Sequence, residues 1–404
     1  MSRRVLYSAF DVVPSPKGAS THVARFVSGL TAGGYDVTLV TPRATGLAEE
    51  ERFCGARLLR VGTPGSGNFL GRALEFGEAT AEIAATLGPF DVAHYRSFWS
   101  GLPLLLHQER HGYRTVFEAN SLASVELPFH YPALRGSPTL ERIRALELLT
   151  LIGSDAVVCV SKVSRGYLTS LGVRPGRVHV IPNGVDPDQF AATPLLPLEG
   201  RVPVALYVGT LADWQGLSTL ISALPAILAR RPIRLRIVGR GRSRQRKDVA
   251  KRIRKLGLDE HVRVEPGVPH HEVPALIAAA DVALAPLSYN ERNVVQGCCP
   301  LKVLEYASCG RPVVASNLPV VRELLREGRD ALLVPPDAPE ALAAAVLRLI
   351  EDERLRTRLA GRGARRVQEL FTWKRAQKRL LKTYESLLSP AGRARRTGVS
   401  PLRE

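Results

Sequence analysis

Pro16-Lys17-Gly18-Ala19-Ser20-Thr21-His22 stands where a short apolar run, Val5 to Phe10, gives way to a helical pattern. A glycine at such a turn lets backbone N–H groups approach a ligand, and the helix N-terminus favours an anion or an oxygen-rich group. The spacing is not GxGxxG, so no dinucleotide fingerprint is present, and a plain β–α turn is the competing reading. Asn183-Gly184 reads as a hinge turn whose glycine permits positive φ. Glu126 to Leu134 reads as an aromatic, proline-rich loop, either an acceptor pocket, a membrane contact or an ordinary packed loop. His107, His111, His261, His270 and His271 lack ligand spacing, and no metal is assigned to them.

The elements that position these residues repeat one pattern. In the first half, Val5–Phe10, Tyr35–Val40, Asp91–Tyr95, Arg114–Glu118, Ala156–Val160 and Arg177–Ile181 read as strands. His22–Gly33 and Glu141–Gly153 read as helices. The second half restarts with strands at Pro203–Val208, Ile233–Val238, Val262–Glu265, Val282–Pro286, Pro312–Ala315 and Ala331–Val334. Helical patterns lie between them, and Pro339–Ile350, Glu353–Phe371 and Trp373–Leu388 close the chain as helices. This rhythm predicts an α/β protein of two doubly wound, Rossmann-like domains whose ligands bind in an interdomain cleft, at the carboxyl ends of parallel strands. The expected division is 1–182, 183–370, a terminal helix at 371–388 packing back on the first domain, and a basic disordered tail at 389–404.

Composition narrows the class. The 404 residues allow two or three domains. No 18-residue apolar run predicts a spanning helix, and the N-terminus shows no signal-peptide pattern. The five cysteines are few and odd in number, which predicts reduced thiols in a cytosolic protein. The formal charge is +18. Residues 1–190 hold 19 Lys+Arg and 17 Asp+Glu, whereas residues 191–404 hold 37 and 21. Arg230 to Lys255 is the densest stretch. Such a field favours an anionic partner, a nucleotide, a nucleic acid or an acidic membrane; the competing reading is a solvated helix face in a chain where Arg outnumbers Lys 47 to 9. The stretch lacks interleaved aromatics and any nucleic-acid module, so no nucleic-acid partner is expected.

Several segments together resemble a known family. "IPNGVDPDQF" resembles the interdomain linker of the retaining glycosyltransferases of family 4, glycosyl transferases group 1, with the GT-B fold. "ALYVGTLADWQGLSTLISAL" resembles the strand, glycine turn and helix opening their donor domain, and "RLRIVGRG" the next strand and turn. "VPHHEVPALIAAADVALAPL" resembles the base-binding segment, "PLKVLEYASCGRPVVAS" the glutamate-bearing helix, and "ELFTWKRAQKRLLKTYESLL" the terminal helix. In order, these span about residues 5 to 388.

The resemblance implies a bacterial enzyme that moves a sugar from a nucleotide diphosphate donor to a glycan, lipid-linked or small-molecule acceptor, with retention and no obligatory metal or other cofactor. It implies a cytoplasmic place, with peripheral contact at the inner face of the membrane. Glu305 would accept hydrogen bonds from the donor ribose. Pro300, Leu301 and Lys302 would lie near the phosphates, Cys299 would line the donor, and Val268 and Pro269 would flank the base. Gly18, Gly209, Thr210 and Gln215 would line the donor, and His22 and Asn120 the acceptor. The sequence also departs from the pattern. Eight residues before Glu305, where the family carries another glutamate, stands Gly297. The family's Arg and Lys after the donor-domain turn fall near Thr210 and Gln215, so Arg240, Arg242 and Lys302 are expected to replace them, since guanidinium forks suit phosphate oxygens. Asn120 stands near the place of a family histidine. These departures motivate an alternative, a catalytically silent binding or scaffold protein.

Overall fold

The computed structural model describes residues 2–15, 17–65 and 68–390. The tail expected beyond the terminal helix lies, from residue 391 on, outside the described residues. The chain forms two compact units: residues 1–182 with 374–404, and residues 183–373.

Unit 1 is built on eight strands: β1 (Arg4–Ser8), β2 (Asp36–Pro42), β3 (Glu50–Phe53), β4 (Ala56–Val61), β5 (Val92–Tyr95), β6 (Arg114–Ala119), β7 (Ala156–Cys159) and β8 (Val178–Val180). Their order is β3-β4-β2-β1-β5-β6-β7-β8. All neighbours pair parallel except β3, which runs antiparallel to β4. The inner strands are continuous apolar runs because helices cover both faces of a parallel sheet; Val5, Leu6 and Tyr7 are fully buried. The β3–β4 hairpin was not anticipated. Charged Glu50, Glu51 and Arg52 break the apolar signal, and an edge strand needs little of it.

Unit 2 holds β9 (Val204–Val208), β10 (Arg234–Gly239), β11 (Val262–Pro266), β12 (Val282–Ala285), β13 (Val313–Ser316) and β14 (Leu332–Val334), in the order β11-β10-β9-β12-β13-β14. Every pair is parallel.

Three expectations need correction. The first helix runs Gly18–Ala32, four residues longer at its start than expected. The segment at 126–134 is not a loop: Ala123–His130 is helical with Pro128 inside it, followed by a 3-10 turn at Pro132–Leu134. Buried Glu147 makes that helix possible by accepting from the backbone N–H groups of Ala123 and Ser124 and from the Ser124 hydroxyl. Gly184 does not adopt positive φ. Glycine is required there because a Cβ would lie 2.3 Å from the Thr372 carbonyl carbon and the Trp373 nitrogen.

The Trp373–Leu388 helix has the expected bounds. From Lys374 on it belongs to unit 1, where Gln377 donates to the Arg25 carbonyl at 2.7 Å and Leu381 packs on Gly33.

Candidate active site

In unit 2 the chain lays down β9, β10 and β11 in one direction, then returns to place β12 on the other side of β9. Ligands of open parallel sheets bind at this switch point, beyond the carboxyl ends of the strands. Gly209 follows β9 there, with φ +152, a backbone that a side chain rarely adopts. A Cβ at Gly209 would stand 2.7 Å from the Lys302 ammonium.

Lys302 and Glu305 lie one turn apart on the Leu301–Ser308 helix, and so share a face. The Lys302 ammonium donates to Gln215 Oε1 at 2.6 Å and sits 3.9 Å from the centre of the Tyr207 ring. Burial pushes its pKa down to about 7; Glu305 opposes that shift and Arg292 adds to it. Glu305 is 8% exposed, and its Oε1 lies 2.9 Å from His270 Nε2. Gln189 Nε2 approaches His270 Nδ1 at 3.5 Å. The two contacts fit one neutral tautomer, with Nε2–H donating to Glu305 and Nδ1 accepting. Among the described residues no donor is recorded on the other Glu305 oxygen. Glu305 is therefore not the solvent-facing glutamate of an ordinary surface helix.

The remaining expected donor residues fall at the same end of the sheet. Thr210 is exposed, and its carbonyl accepts from the Tyr207 hydroxyl at 2.6 Å. Val268 and Pro269 precede the 3-10 turn that carries His270. Pro300 caps the Leu301–Ser308 helix without a side-chain bond, so the first N–H groups of the helix point outward from Leu301 and Lys302. Cys299 is buried and its carbonyl accepts from Asn183 Nδ2 at 2.8 Å, which makes it a tie between linker and loop. Burial also pushes its thiol up, so it stays protonated. Arg240 and Arg242 follow β10 and are exposed; neither forms a recorded bond to Lys302 or Glu305. The Arg240 stem instead lies over Gly267.

Sequence reasoning missed two residues. Arg292 lies in a π-helical turn (Arg292–Gln296), with its guanidinium 5.1 Å from the centre of the Trp214 ring. Its charge reaches Lys302, so a second cation beside Lys302 comes from this turn. His270 was set aside for lacking metal-ligand spacing, and it serves Glu305 instead. The turn ends at Gly297, whose φ of +80 explains why no glutamate stands there. Half of the Arg230–Lys255 stretch is the exposed helix Ser243–Lys255, buried only at Val249 and Ile253, and the rest includes β10, whose Arg236 pairs with Glu265 at 2.8 Å.

Unit 1 has its own switch point, between β1 and β5. Glu118 on β6 is fully buried there. Arg96 Nε donates to it at 2.7 Å and Asn120 Nδ2 at 2.6 Å; the Tyr7 hydroxyl also donates. His22 Nε2 and His94 Nε2 each lie 3.0 Å from its oxygens. Burial alone would raise the Glu118 pKa, but His22 and Arg96 outweigh it and hold the carboxyl well below the usual range. His22 and Asn120, both expected at the acceptor, thus meet on one carboxylate. His94 Nδ1 in turn lies 2.7 Å from the Tyr384 hydroxyl of the terminal helix. Gly18 opens the first helix at the same end of this sheet.

All five cysteines are free thiols. Among the described residues no cluster of His, Cys, Asp and Glu could hold a metal, and no helix is long and apolar enough to cross a membrane.

Comparison with known proteins shows the fold and the family. The chain is 29% identical over 391 residues to a phosphatidyl-myo-inositol mannosyltransferase of Mycolicibacterium smegmatis, covering 94% of this chain and 92% of that protein. A sucrose-phosphate synthase from Thermosynechococcus elongatus superposes with a TM-score of 0.80 at 21% identity, covering 96% of this chain and 99% of that one. Anabaena HepE, solved with UDP and glucose, superposes at 0.74 with 17% identity over 95% and 100% of the two chains. The family model Glycosyltransferase Family 4 matches residues 16–189, and Glycosyl transferases group 1 matches residues 202–352. One model falls on each doubly wound sheet, and the chain belongs to the family 4, group 1 glycosyltransferases of the GT-B fold.

Proposed function

We propose that this glycosyltransferase moves a hexose from a nucleoside diphosphate sugar to an acceptor hydroxyl with retention of configuration, using unit 2 for the donor and unit 1 for the acceptor. One observation carries the reading: Lys302 and Glu305 share a helix face at the unit 2 switch point, the first with its pKa pushed by burial down to about 7 and the second held by His270. The bond between the anomeric carbon and the β-phosphate oxygen breaks, its electron pair leaving with the diphosphate. The acceptor oxygen forms the new bond, and its proton ends on the diphosphate. Lys302, Arg292 and the bare helix N-terminus at Leu301 oppose the charge that develops. Glu305 binds the ribose hydroxyls through its open oxygen. On this reading the cations of the chain replace a metal, and a chelator leaves activity unchanged. The name of the mycobacterial relative makes nucleotide-activated mannose the first donor to try and an inositol-bearing lipid the first acceptor. A membrane contact, on this reading, is peripheral.

Thermal unfolding with UDP, GDP, ADP and TDP, each with and without Mg²⁺, tests the donor site. A ligand at about 100 times its dissociation constant adds roughly 2.7 kcal/mol, which raises the midpoint by several degrees. One diphosphate standing out, and lost in Glu305→Ala, supports the reading. No shift with any diphosphate sinks it.

A further inference from the structure

The helix Glu353–Leu370 carries Arg362, Arg365, Arg366 and Glu369 at spacings of three and four, which puts them on one face. That face meets the segment Arg326–Asp330, which joins the helix Pro319–Leu324 to β14. Gly363 allows the approach, since a Cβ there would lie 2.8 Å from the Asp330 carbonyl oxygen. Between them lies an open groove of about 770 Å³ lined by Arg326, Arg329, Arg362, Arg365 and Arg366, with Asp330, Glu369 and Leu370. Connections that enter a parallel strand lie at its amino end, so this groove is at the edge of unit 2 opposite Lys302 and Glu305.

The charges in it are not balanced. Asp330, 2% exposed, takes Arg326 at 2.7 Å and stands 3.5 Å from Arg366. Arg366 is further fixed by donating to the Leu324 carbonyl at 2.6 Å. These two guanidiniums are thereby built into the wall. Arg329, Arg362 and Arg365 have no recorded ion pair among the described residues, and all three are exposed. The repulsion registers on Arg366, whose pKa is lowered by burial first and then by Arg326 and Arg329. A solvated helix face would not converge in this way on a second element with a buried carboxylate fixing the wall.

We propose that this groove is an anion site, separate from the donor site, for a ligand bearing two or more phosphate charges. Planar guanidinium forks match phosphate oxygens in pairs, and the groove has room for more than one phosphate while offering little apolar surface. Free phosphorylated solutes and phospholipid headgroups share this chemistry. The site does not depend on the transferase reading.

The test uses the full chain with Lys302→Met, so that the donor site contributes less. One arm titrates inorganic pyrophosphate by calorimetry. The other measures sedimentation with vesicles of phosphatidylglycerol and phosphatidylcholine, against phosphatidylcholine alone. Replacing Arg329, Arg362 and Arg365 together by Gln is expected to weaken binding about tenfold or more in at least one arm, since each charged hydrogen bond lost is worth that much. Binding in that arm should also weaken as salt rises. Loss in the pyrophosphate arm alone identifies a soluble ligand, and loss in the vesicle arm a lipid surface. Equal binding by the triple variant and its parent in both arms, or no binding by the parent in either, overturns the proposal. Unchanged thermal unfolding of the triple variant shows that the fold is intact; a single Arg362→Gln, exposed on the helix, replaces it if it is not.

Discussion

At the scale of the residue, Lys302 is the side chain whose protonation ligand binding should change. Free, it gives up its proton near pH 7; a diphosphate beside it holds the proton on. Binding therefore takes up a proton above pH 7, and affinity for the matching nucleoside diphosphate should fall about tenfold per pH unit from there until the pKa of the complex is reached. Lys302→Met should weaken binding roughly 10- to 100-fold at pH 7 and flatten the dependence. Calorimetry between pH 7 and 9 reads both effects. Glu118 is the corresponding residue of unit 1. Glu118→Gln removes the fully buried partner of Arg96, 7% exposed in its side chain, and leaves it only the part-exposed Asp11 carboxylate. The expected cost is about 3–5 kcal/mol by denaturant unfolding. Since the folded pKa of Glu118 is depressed, its contribution is present above the ordinary carboxylate range and is lost as pH falls through the folded pKa.

At the scale of the element, the sequence shows best what repeats. The Trp373–Leu388 helix has the bounds that apolar spacing predicts, because it presents a single buried stripe, whereas Leu301–Ser308 is buried continuously from Val303 to Ser308 and is bracketed by Pro300 and Gly310. The Ala123–His130 helix was not legible, because its N–H groups are satisfied by Glu147, a residue more than twenty positions away. Removing that cap by Glu147→Ala should cost about 1–3 kcal/mol and loosen the segment through Tyr131, measurable as faster amide exchange. The site divides in the same way. Lys302 and Glu305 are neighbours in one segment, PLKVLEYASCGRPVVAS, and the resemblance of that segment pointed to both. His270 reaches Glu305, and Arg292 reaches Lys302, through short irregular turns with no period to announce them.

At the scale of the whole molecule, the division of labour is lopsided in sequence. Apart from Gly18, every residue named around the donor site, from Asn183 to Glu305, lies in 183–373. That segment expressed alone should bind the nucleoside diphosphate within about tenfold of the full chain, because none of those contacts needs unit 1. Residues 1–182 alone should not fold stably. They lack the helix that donates Gln377 to Arg25 and brings Tyr384 to His94. Circular dichroism of the two fragments decides it, and a folded 1–182 fragment would contradict the prediction.

The His94–Tyr384 contact spans 290 positions of chain. During synthesis the strands β1 to β8 leave the ribosome long before the last helix exists. The nested segment can close on itself first, while the earlier sheet waits without Gln377 on Gly29, Leu381 on Gly33 and Tyr384 on His94. At about 5–20 residues per second that interval is tens of seconds at the slower end, long enough for a nascent chain to need protection from aggregation.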